Sequence, residues 1–197
     1  MAFFRFLLYN YLAMRFGILL VIFSFLYSCS DIEKDRQLKK INMITNSVEK
    51  LKITLVQNKI SSVPEKKLAV YTVIKRIKSY YFTDTIDYQF AKKVNSYKVV
   101  QKSLKNLDSD YEKIRTALRD EKIVLIKLKS DVFNGFGKRE KYAEYISFEK
   151  NKIKKIKSLL DEYIYKKKEF TIAFDSLHPL LNDYSMRLEE KFRDKLL

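Results

Sequence analysis

Apolar residues recur at alternating three- and four-residue steps along most of the chain, which is the spacing of one helix face. Five stripes follow this spacing, within 41–55, 70–81, 90–132, 142–177 and 180–192. Their members are Ile41, Ile44, Val48, Leu51 and Leu55; Val70, Ile74, Ile77 and Tyr81; Phe90, Val94, Tyr97, Val100 or Gln101, Leu104, Leu107, Tyr111, Ile114, Leu118, Leu125, Leu128 and Val132; Tyr142, Ile146, Ile153, Ile156, Leu160, Tyr163, Phe170, Phe174 and Leu177; and Leu180, Leu181, Tyr184, Leu188 and Phe192. The pattern predicts an all-α protein.

Few residues in the sequence mark where a helix would begin or end. Ser62-Val63-Pro64-Glu65 is typical of a capping box with proline in the first turn. Thr83-Asp84-Thr85 predicts the next break and cap, and Asp108-Ser109-Asp110 is a candidate interruption of the third stripe. Asn134-Gly135-Phe136-Gly137 is the clearest turn, because glycine adopts the left-handed conformation that ends a helix. His178-Pro179 predicts a kink or a restart of the last helix.

Two helices of about forty residues joined by a tight glycine turn should lie antiparallel, each reaching ~60 Å. The shorter helices would pack on this pair and bury its remaining apolar surface. We therefore expect an elongated antiparallel helical bundle with a long coiled-coil-like hairpin, forming a single helical domain over 37–197. The seams could pair within one chain or between two, so the oligomeric state stays open.

The N-terminal segment has the pattern of an export signal. Residues 16–27 carry no charge and are almost entirely apolar. A membrane span needs ~20 apolar residues, so this length suits a signal-peptide core better. Arg15 supplies the positive flank, and Met14 directly before it is a second candidate start. We expect 1–28 to be a signal peptide.

The same segment has a second interpretation if it is counted from Met1. Counted from Met1, the apolar stretch covers 3–27 and is interrupted by Arg5, Asn10 and Arg15. Such a segment could remain as an uncleaved membrane helix, in which Cys29 would be an ordinary residue near its end.

Leu26-Tyr27-Ser28-Cys29 resembles the lipobox of bacterial lipoproteins. Cys29 is the only cysteine, so it cannot form a disulfide within the chain. The resemblance implies cleavage before Cys29, diacylglycerol on its sulfur and acylation of its new amino group. Each buried methylene contributes about 0.8 kcal/mol and stable anchoring needs two chains, a requirement that such a cysteine meets. Residues 29–36 would then be a lipidated tether.

The chain is strongly basic, with 40 lysines and arginines against 24 acids and a net charge of +16. Acidic residues are interleaved with the basic ones, which is typical of solvated helix faces. A surface this positive still attracts polyanions, including sulfated glycosaminoglycans, anionic lipid headgroups and acidic protein patches. The abundant Lys, Ile and Asn have A/T-rich codons, so part of the charge could reflect genome composition.

The sequence offers little catalytic chemistry. His178 is the only histidine, and beside Pro179 it is expected in a helix cap or turn rather than in a proton-transfer site. One histidine without a cysteine pair does not supply the usual zinc ligands, and the sequence contains neither a glycine-rich phosphate loop nor a nucleophile elbow. We therefore predict that the protein is not an enzyme and has no catalytic residues, metal site or cofactor.

Two groups of closely spaced carboxylates can be considered as calcium ligands. Asp108, Asp110 and Glu112 alternate along the chain, and Asp84 and Asp87 lie near Thr83. A calcium loop would also need a glycine turn and a distant glutamate, which neither group has. We interpret both groups as solvated helix surface or helix start.

Tyrosines cluster at Tyr80-Tyr81-Phe82, at Tyr142 with Tyr145, and at Tyr163 with Tyr165. One member of each cluster falls on an apolar stripe and is predicted in the core. Tyr80, Tyr145 and Tyr165 fall off the stripes. They could form a protein-binding face, since tyrosine gives a large contact area at low entropic cost, or fill grooves between helices. Packing is the favoured interpretation.

The lipobox, the Lys/Ile/Asn-rich composition and the helical body resemble plasmid-encoded surface lipoproteins of Borrelia-type spirochaetes. The resemblance implies a lipid-anchored surface antigen of the outer membrane that binds a host protein or matrix component, and the basic charge adds a sulfated glycosaminoglycan as a possible partner. The basic charge would speed encounter and exposed aromatics would make the short-range contacts. The alternative is a periplasmic structural or assembly lipoprotein acting as a helical spacer. Binding to nucleic acid is disfavoured, because an exported chain does not meet cytoplasmic DNA.

Overall fold

The computed structural model describes residues 32–85 and 87–195. They form four α-helices, α1 over 32–57, α2 over Val63–Tyr80, α3 over Tyr88–Asn134 and α4 over Tyr142–Asp194, with a short 3-10 helix at Arg139–Lys141. This part of the chain contains no strand, and its helices pack against one another. The predicted all-α helical bundle is confirmed.

The described residues divide into two compact units. Residues 32–47 with Glu121–Lys152 form the turn unit, which contains the connection between α3 and α4. Val48–Asp120 with residues 153–195 form the four-helix unit, which contains α2 and parts of the other three helices. The sequence placed residues up to 36 in a tether, whereas in the structure α1 already includes 32–36.

The predicted stripes supply most of the core. Buried positions run along α3 from Tyr97 to Val132, and along α4 from Tyr142 to Tyr163, in strictly alternating steps of three and four residues. This 3.5-residue repeat keeps one seam of each helix facing a neighbour, as in coiled coils. Stripe members that are only half-buried are Leu51, Tyr81, Phe90, Val94, Phe174, Leu177, Tyr184 and Leu188. Leu180 and Phe192 are exposed.

Helices α3 and α4 run antiparallel in the four-helix unit. Tyr97 lies beside His178, with ring centroids 6.0 Å apart, and Tyr111 lies beside Tyr163 at 6.1 Å. Rising residue numbers on α3 therefore meet falling numbers on α4, which confirms the predicted hairpin direction.

The end of α3 has the backbone pattern that a glycine stop predicts. After Asn134, Gly135 has a φ of 70° and Gly137 a φ of 78°. The amide of Phe136 donates a hydrogen bond to the carbonyl of Asp131 at 2.9 Å, which satisfies one of the last helical carbonyls in the manner of a Schellman motif. The turn predicted at 134–137 is confirmed.

Side chains hold this turn in place. The buried Tyr142 hydroxyl is within hydrogen-bonding reach of the carbonyl oxygens of Asp131, at 2.9 Å, and of Phe136. The Nε of Arg139 donates to the Gly135 carbonyl at 3.0 Å. The guanidinium of Arg139 lies where a Cβ at Gly135 would be, but this flexible side chain can move aside, so the positive φ is the reason that the position requires glycine.

The capping box predicted at Ser62 is wrong in one respect. α2 begins at Val63 with Pro64 in its first turn, as predicted, but Ser62 makes no side-chain capping hydrogen bond. Its backbone is left-handed, with φ 58° and ψ 41°, whereas a capping side chain needs an extended backbone to reach the next amides. The first turn is closed by the backbone instead, through the Lys66 amide and the Ser62 carbonyl at 3.0 Å.

The cap of α3 lies later than predicted. The Thr83 hydroxyl donates to the Thr85 carbonyl at 2.8 Å and is therefore engaged in its own local turn. Asp87 caps the helix instead, because its Oδ1 accepts the amide hydrogen of Phe90 at 2.9 Å.

The interruption predicted at Asp108-Ser109-Asp110 does not occur, and α3 is continuous through it. Both carboxylates pair with lysines, Asp108 with Lys67 at 3.0 Å and Asp110 with Lys166 at 3.4 Å. Carboxylates engaged with lysines do not compete for the backbone amides of the helix.

Of the two outcomes predicted at His178-Pro179, a kink or a restart, the restart does not occur. α4 continues through Pro179, although proline has no amide hydrogen to donate to the preceding turn. Burial of Leu181, just beyond the proline, keeps the helix packed against its neighbours. His178 is consequently an interior residue of a helix and not a cap.

Candidate functional site

A groove between α2 and α3 in the four-helix unit concentrates positive charge on an open surface. α2 contributes Lys67, Leu68 and Tyr71, and α3 contributes Lys98, Gln101, Lys102 and Lys105. The groove has a volume of about 700 Å³. Four of its seven lining residues are lysines and none is acidic, so the groove combines a concave shape with a single sign of charge.

Helix periodicity places the lysines of α3 on one side of the groove. Lys98, Lys102 and Lys105 are separated by four and three residues, so they project from the same face of α3. All three are exposed, and none forms an ion pair with an acid in the described part of the chain. Their charge is therefore available to a ligand.

The α2 side of the groove adds one paired cation and apolar surface. Lys67 Nζ lies 3.0 Å from Asp108 Oδ2 in an exposed ion pair. Leu68 is 65% exposed and Tyr71 is 56% exposed. A ligand in this groove would meet an aromatic face and an aliphatic side chain beside the row of three lysines on α3.

These side chains favour a flexible, multiply charged anion. Lysine is a compact point charge on a flexible stem, and its three donors accept an oxyanion from many directions. Tyr71 adds an amphipathic ring that can stack on an apolar face of the ligand. The arrangement suits reversible binding of a polyanion along the groove.

The three off-stripe tyrosines have different environments. Tyr80 packs on Phe192, with ring centroids 5.2 Å apart, so it belongs to the packing of the four-helix unit. Tyr145 and Tyr165 are exposed. The stripe tyrosines Tyr142 and Tyr163 are buried, as predicted.

The half-buried His178 is paired with the buried Tyr97. Its Nδ1 is hydrogen-bonded to the Tyr97 hydroxyl, and its ring stacks on Phe174 with centroids 4.7 Å apart. Burial lowers the pKa of His178 and raises the pKa of Tyr97. A neutral imidazole and a protonated phenol follow, so the phenol donates to Nδ1 and the ring proton lies on Nε2.

The carboxylates considered as a calcium site are engaged in surface interactions. Asp108 and Asp110 pair with lysines, and Glu112 Oε2 lies 2.6 Å from Arg115. Asp87 caps α3. Within 32–85 and 87–195, no group of three or more histidine, cysteine or acidic residues is placed to hold a metal ion.

The turn unit contains a cluster of two buried glutamates and a partly exposed lysine, which the pattern of apolar residues did not predict. Lys152 Nζ lies 2.7 Å from Glu121 Oε2 and 3.0 Å from Glu149 Oε2. Glu121 is only 2% exposed, and its Oε1 has no hydrogen-bond partner among the described residues. Burial raises the pKa of Glu121, Lys152 opposes this shift, and Glu149 adds to it. One ammonium thus serves two buried carboxylates.

A signal for this cluster was present in the sequence. Glu121 lies three residues after Leu118 and four before Leu125, and Glu149 holds the same place between Ile146 and Ile153. Both glutamates occupy seam positions of the 3.5-residue repeat, where a polar residue specifies the register of the helix pair. The lysine groove had a weaker signal, because the pairing of α2 with α3 is not encoded in local spacing.

Cys29, the predicted lipidation site, lies outside the described residues. The predicted signal peptide at 1–28 lies outside them as well. None of the helices in 32–85 and 87–195 combines the length and apolar composition of a membrane span.

No protein-family model, curated protein or solved structure matches the chain.

Proposed function

We propose that this protein is a lipid-anchored cell-envelope protein, held by an acylated Cys29 at the outer membrane surface, that binds a host polyanion in the lysine groove. A sulfated glycosaminoglycan is the partner that fits best. The observation that carries the proposal is the row of exposed Lys98, Lys102 and Lys105 beside Tyr71, none of which has an acidic partner among residues 32–85 and 87–195. Sulfate groups spaced along a polysaccharide can meet such a row, and the tyrosine ring can stack on the apolar face of a sugar.

Charge removal in the groove tests the binding site. The triple variant Lys98→Gln, Lys102→Gln, Lys105→Gln is expected to bind heparin about tenfold more weakly at physiological salt. The reason is that an exposed charge contact contributes roughly 0.2–1 kcal/mol and three of them add to the ~1.4 kcal/mol of a tenfold change. The measurement is the dissociation constant of the full-length protein on immobilised heparin.

A matched variant distinguishes specific binding in the lysine groove from attraction by the overall positive charge of the protein. Lys127→Gln, Lys129→Gln, Lys155→Gln removes the same net charge at three exposed lysines outside the groove. We expect its dissociation constant to stay within twofold of the original. Equal losses of affinity in the two triple variants would mean that heparin binding depends on net charge alone and not on the groove. If the protein binds a host serum protein and does not bind heparin, the serum protein becomes the proposed partner instead of the polysaccharide.

Growth of the producing cells with radioactive palmitate tests the anchor. We expect label on the original protein and none on Cys29→Ala, because the acyl chains would be attached at that residue. Label that persists on Cys29→Ala would overturn the assignment of the anchor.

Protease treatment of intact cells then distinguishes the surface protein from the alternative, a periplasmic helical spacer. An outward-facing protein is degraded while the cells remain sealed. Protection in intact cells and loss only after lysis would support the spacer instead.

A further inference from the structure

The first turn of α1 lies against the turn between α3 and α4 in the turn unit. Lys34 Nζ is 4.7 Å from the centroid of the Phe133 ring. A cavity of about 330 Å³ separates the two segments, lined by Glu33, Lys34 and Gln37 from α1 and by residues that include Asn134, Arg139 and Tyr142 from the turn. The beginning of α1 and the end of the hairpin therefore form one surface.

Large aromatic side chains are exposed at this surface. Phe133 is 61% exposed and Phe136 is 62% exposed. The backbone of Phe136 is fixed, because its amide donates to Asp131 and its carbonyl accepts from Tyr142. The turn therefore holds the Phe136 side chain on the outside of the unit, next to the exposed ring of Phe133.

Charged side chains frame these rings. Lys138, Arg139 and Lys141 are exposed in or next to the turn, and Glu140 lies between them. Glu33 and Asp35 at the start of α1 cancel further positive charge. The net charge of the surface is consequently small, so apolar burial rather than electrostatic attraction must supply most of any affinity.

Chain length restricts what can cover the surface. Cys29 precedes residue 32 by three positions, and three residues span at most ~11 Å. Acyl chains on Cys29 would thus hold the beginning of α1, and with it the hairpin turn, close to the lipid headgroups.

We propose that Phe133 and Phe136, framed by Lys138, Arg139 and Lys141, form a membrane-docking surface that inserts into the headgroup region of the bilayer carrying the Cys29 acyl chains. The inference rests on the lipid anchor of the proposed function. Aromatic rings favour the membrane interface, and lysine and arginine beside them can reach lipid phosphates. Docking would hold the turn unit against the bilayer, so that the acyl chains on Cys29 would not be its only attachment.

Fluorescence tests this surface directly, because the chain contains no tryptophan. Phe136→Trp in the full-length, acylated protein is expected to shift its emission to shorter wavelength in vesicles of phosphatidylcholine and phosphatidylglycerol. Brominated lipids should remove most of that emission. Phe133→Trp provides a second reporter of the same surface.

Met43→Trp is the matched control. Met43 is also an exposed residue of the turn unit, but it lies about 16 Å further along α1 from residue 32. Its emission should stay at the wavelength of water and resist the lipid quencher.

The outcomes separate docking from anchoring. If the protein floats with the vesicles while the tryptophans at 136 and 133 remain as exposed to water as the one at 43, the docking surface is overturned and the anchor stands. If the protein carries an unmodified Cys29 and does not float, both the anchor and the docking surface fail.

Discussion

Lys152→Met is expected to lower the free energy of unfolding by about 2 kcal/mol, because removing the ammonium leaves uncompensated carboxylate charge behind. The loss is smaller than for a fully buried pair, since the Lys152 side chain is 39% exposed and water screens part of the interaction. Here the charge left behind is that of Glu121 and Glu149, whose side chains are 1% and 11% exposed. Methionine preserves most of the apolar stem, so the loss would come from the missing ammonium. Urea unfolding of the detergent-solubilised protein, followed by circular dichroism at neutral pH, measures it.

Two further variants isolate the cause of that loss. Lys155→Met removes an exposed lysine nearby and should change stability by less than about 0.5 kcal/mol. Glu121→Gln should match or exceed the original stability, since its amide resembles the protonated acid that burial already favours. A loss at Lys152→Met no larger than that at Lys155→Met would show that the cluster is not coupled as its distances indicate.

His178→Leu is the second substitution with a large expected effect, a loss of about 2 kcal/mol at pH 8. The leucine leaves the Tyr97 hydroxyl buried without its acceptor, and an orphaned buried donor costs roughly 1–3 kcal/mol. The double variant Tyr97→Phe, His178→Leu should recover much of this loss, because it removes the orphaned group. Thermal unfolding of the three proteins at pH 8 measures the difference, and no recovery in the double variant would contradict the role of the pair.

The same histidine predicts a pH dependence of stability. Its pKa is 6.5 in the unfolded chain and lower in the fold, so the unfolded chain takes up the proton first as the pH falls. The contribution of neutral His178 is therefore complete above pH 6.5 and is lost as the pH falls through the folded pKa. The stability difference between the original protein and the double variant should shrink in this window. A difference that is constant from pH 8 to pH 4.5 would exclude this linkage.

Periodicity predicted the seams of this bundle because burial repeats at the helical spacing. The stripe from Tyr97 to Val132 is buried at each of its steps, and the glycine pair of the turn ends α3 where expected. These features depend on local chemistry, a side chain on one face or a backbone that only glycine adopts easily. Such features can be predicted from the sequence of one segment without knowing which other segments pack against it.

The incorrect predictions share a tertiary cause. Asp108 and Asp110 suggest a break when considered alone, but lysines of other helices engage them. His178 suggests a cap beside proline, but Tyr97 from α3 accommodates it inside the bundle. The lysine groove depends in the same way on which helix lies beside α3. Contacts between distant segments decided each outcome, and spacing along one helix does not contain them.

Pro179 weakens the connection between the last part of α4 and the rest of that helix. Its missing amide interrupts the ladder of backbone bonds, so the segment 180–194 is joined to the rest of α4 less cooperatively than a continuous helix would be. That segment is held mainly by side chains, with Tyr184 against Phe90 at 4.6 Å and Glu189 Oε2 at 2.8 Å from Arg76 Nε. We therefore expect residues 180–194 to open locally more readily than the part of α4 that precedes Pro179, which hydrogen exchange would measure.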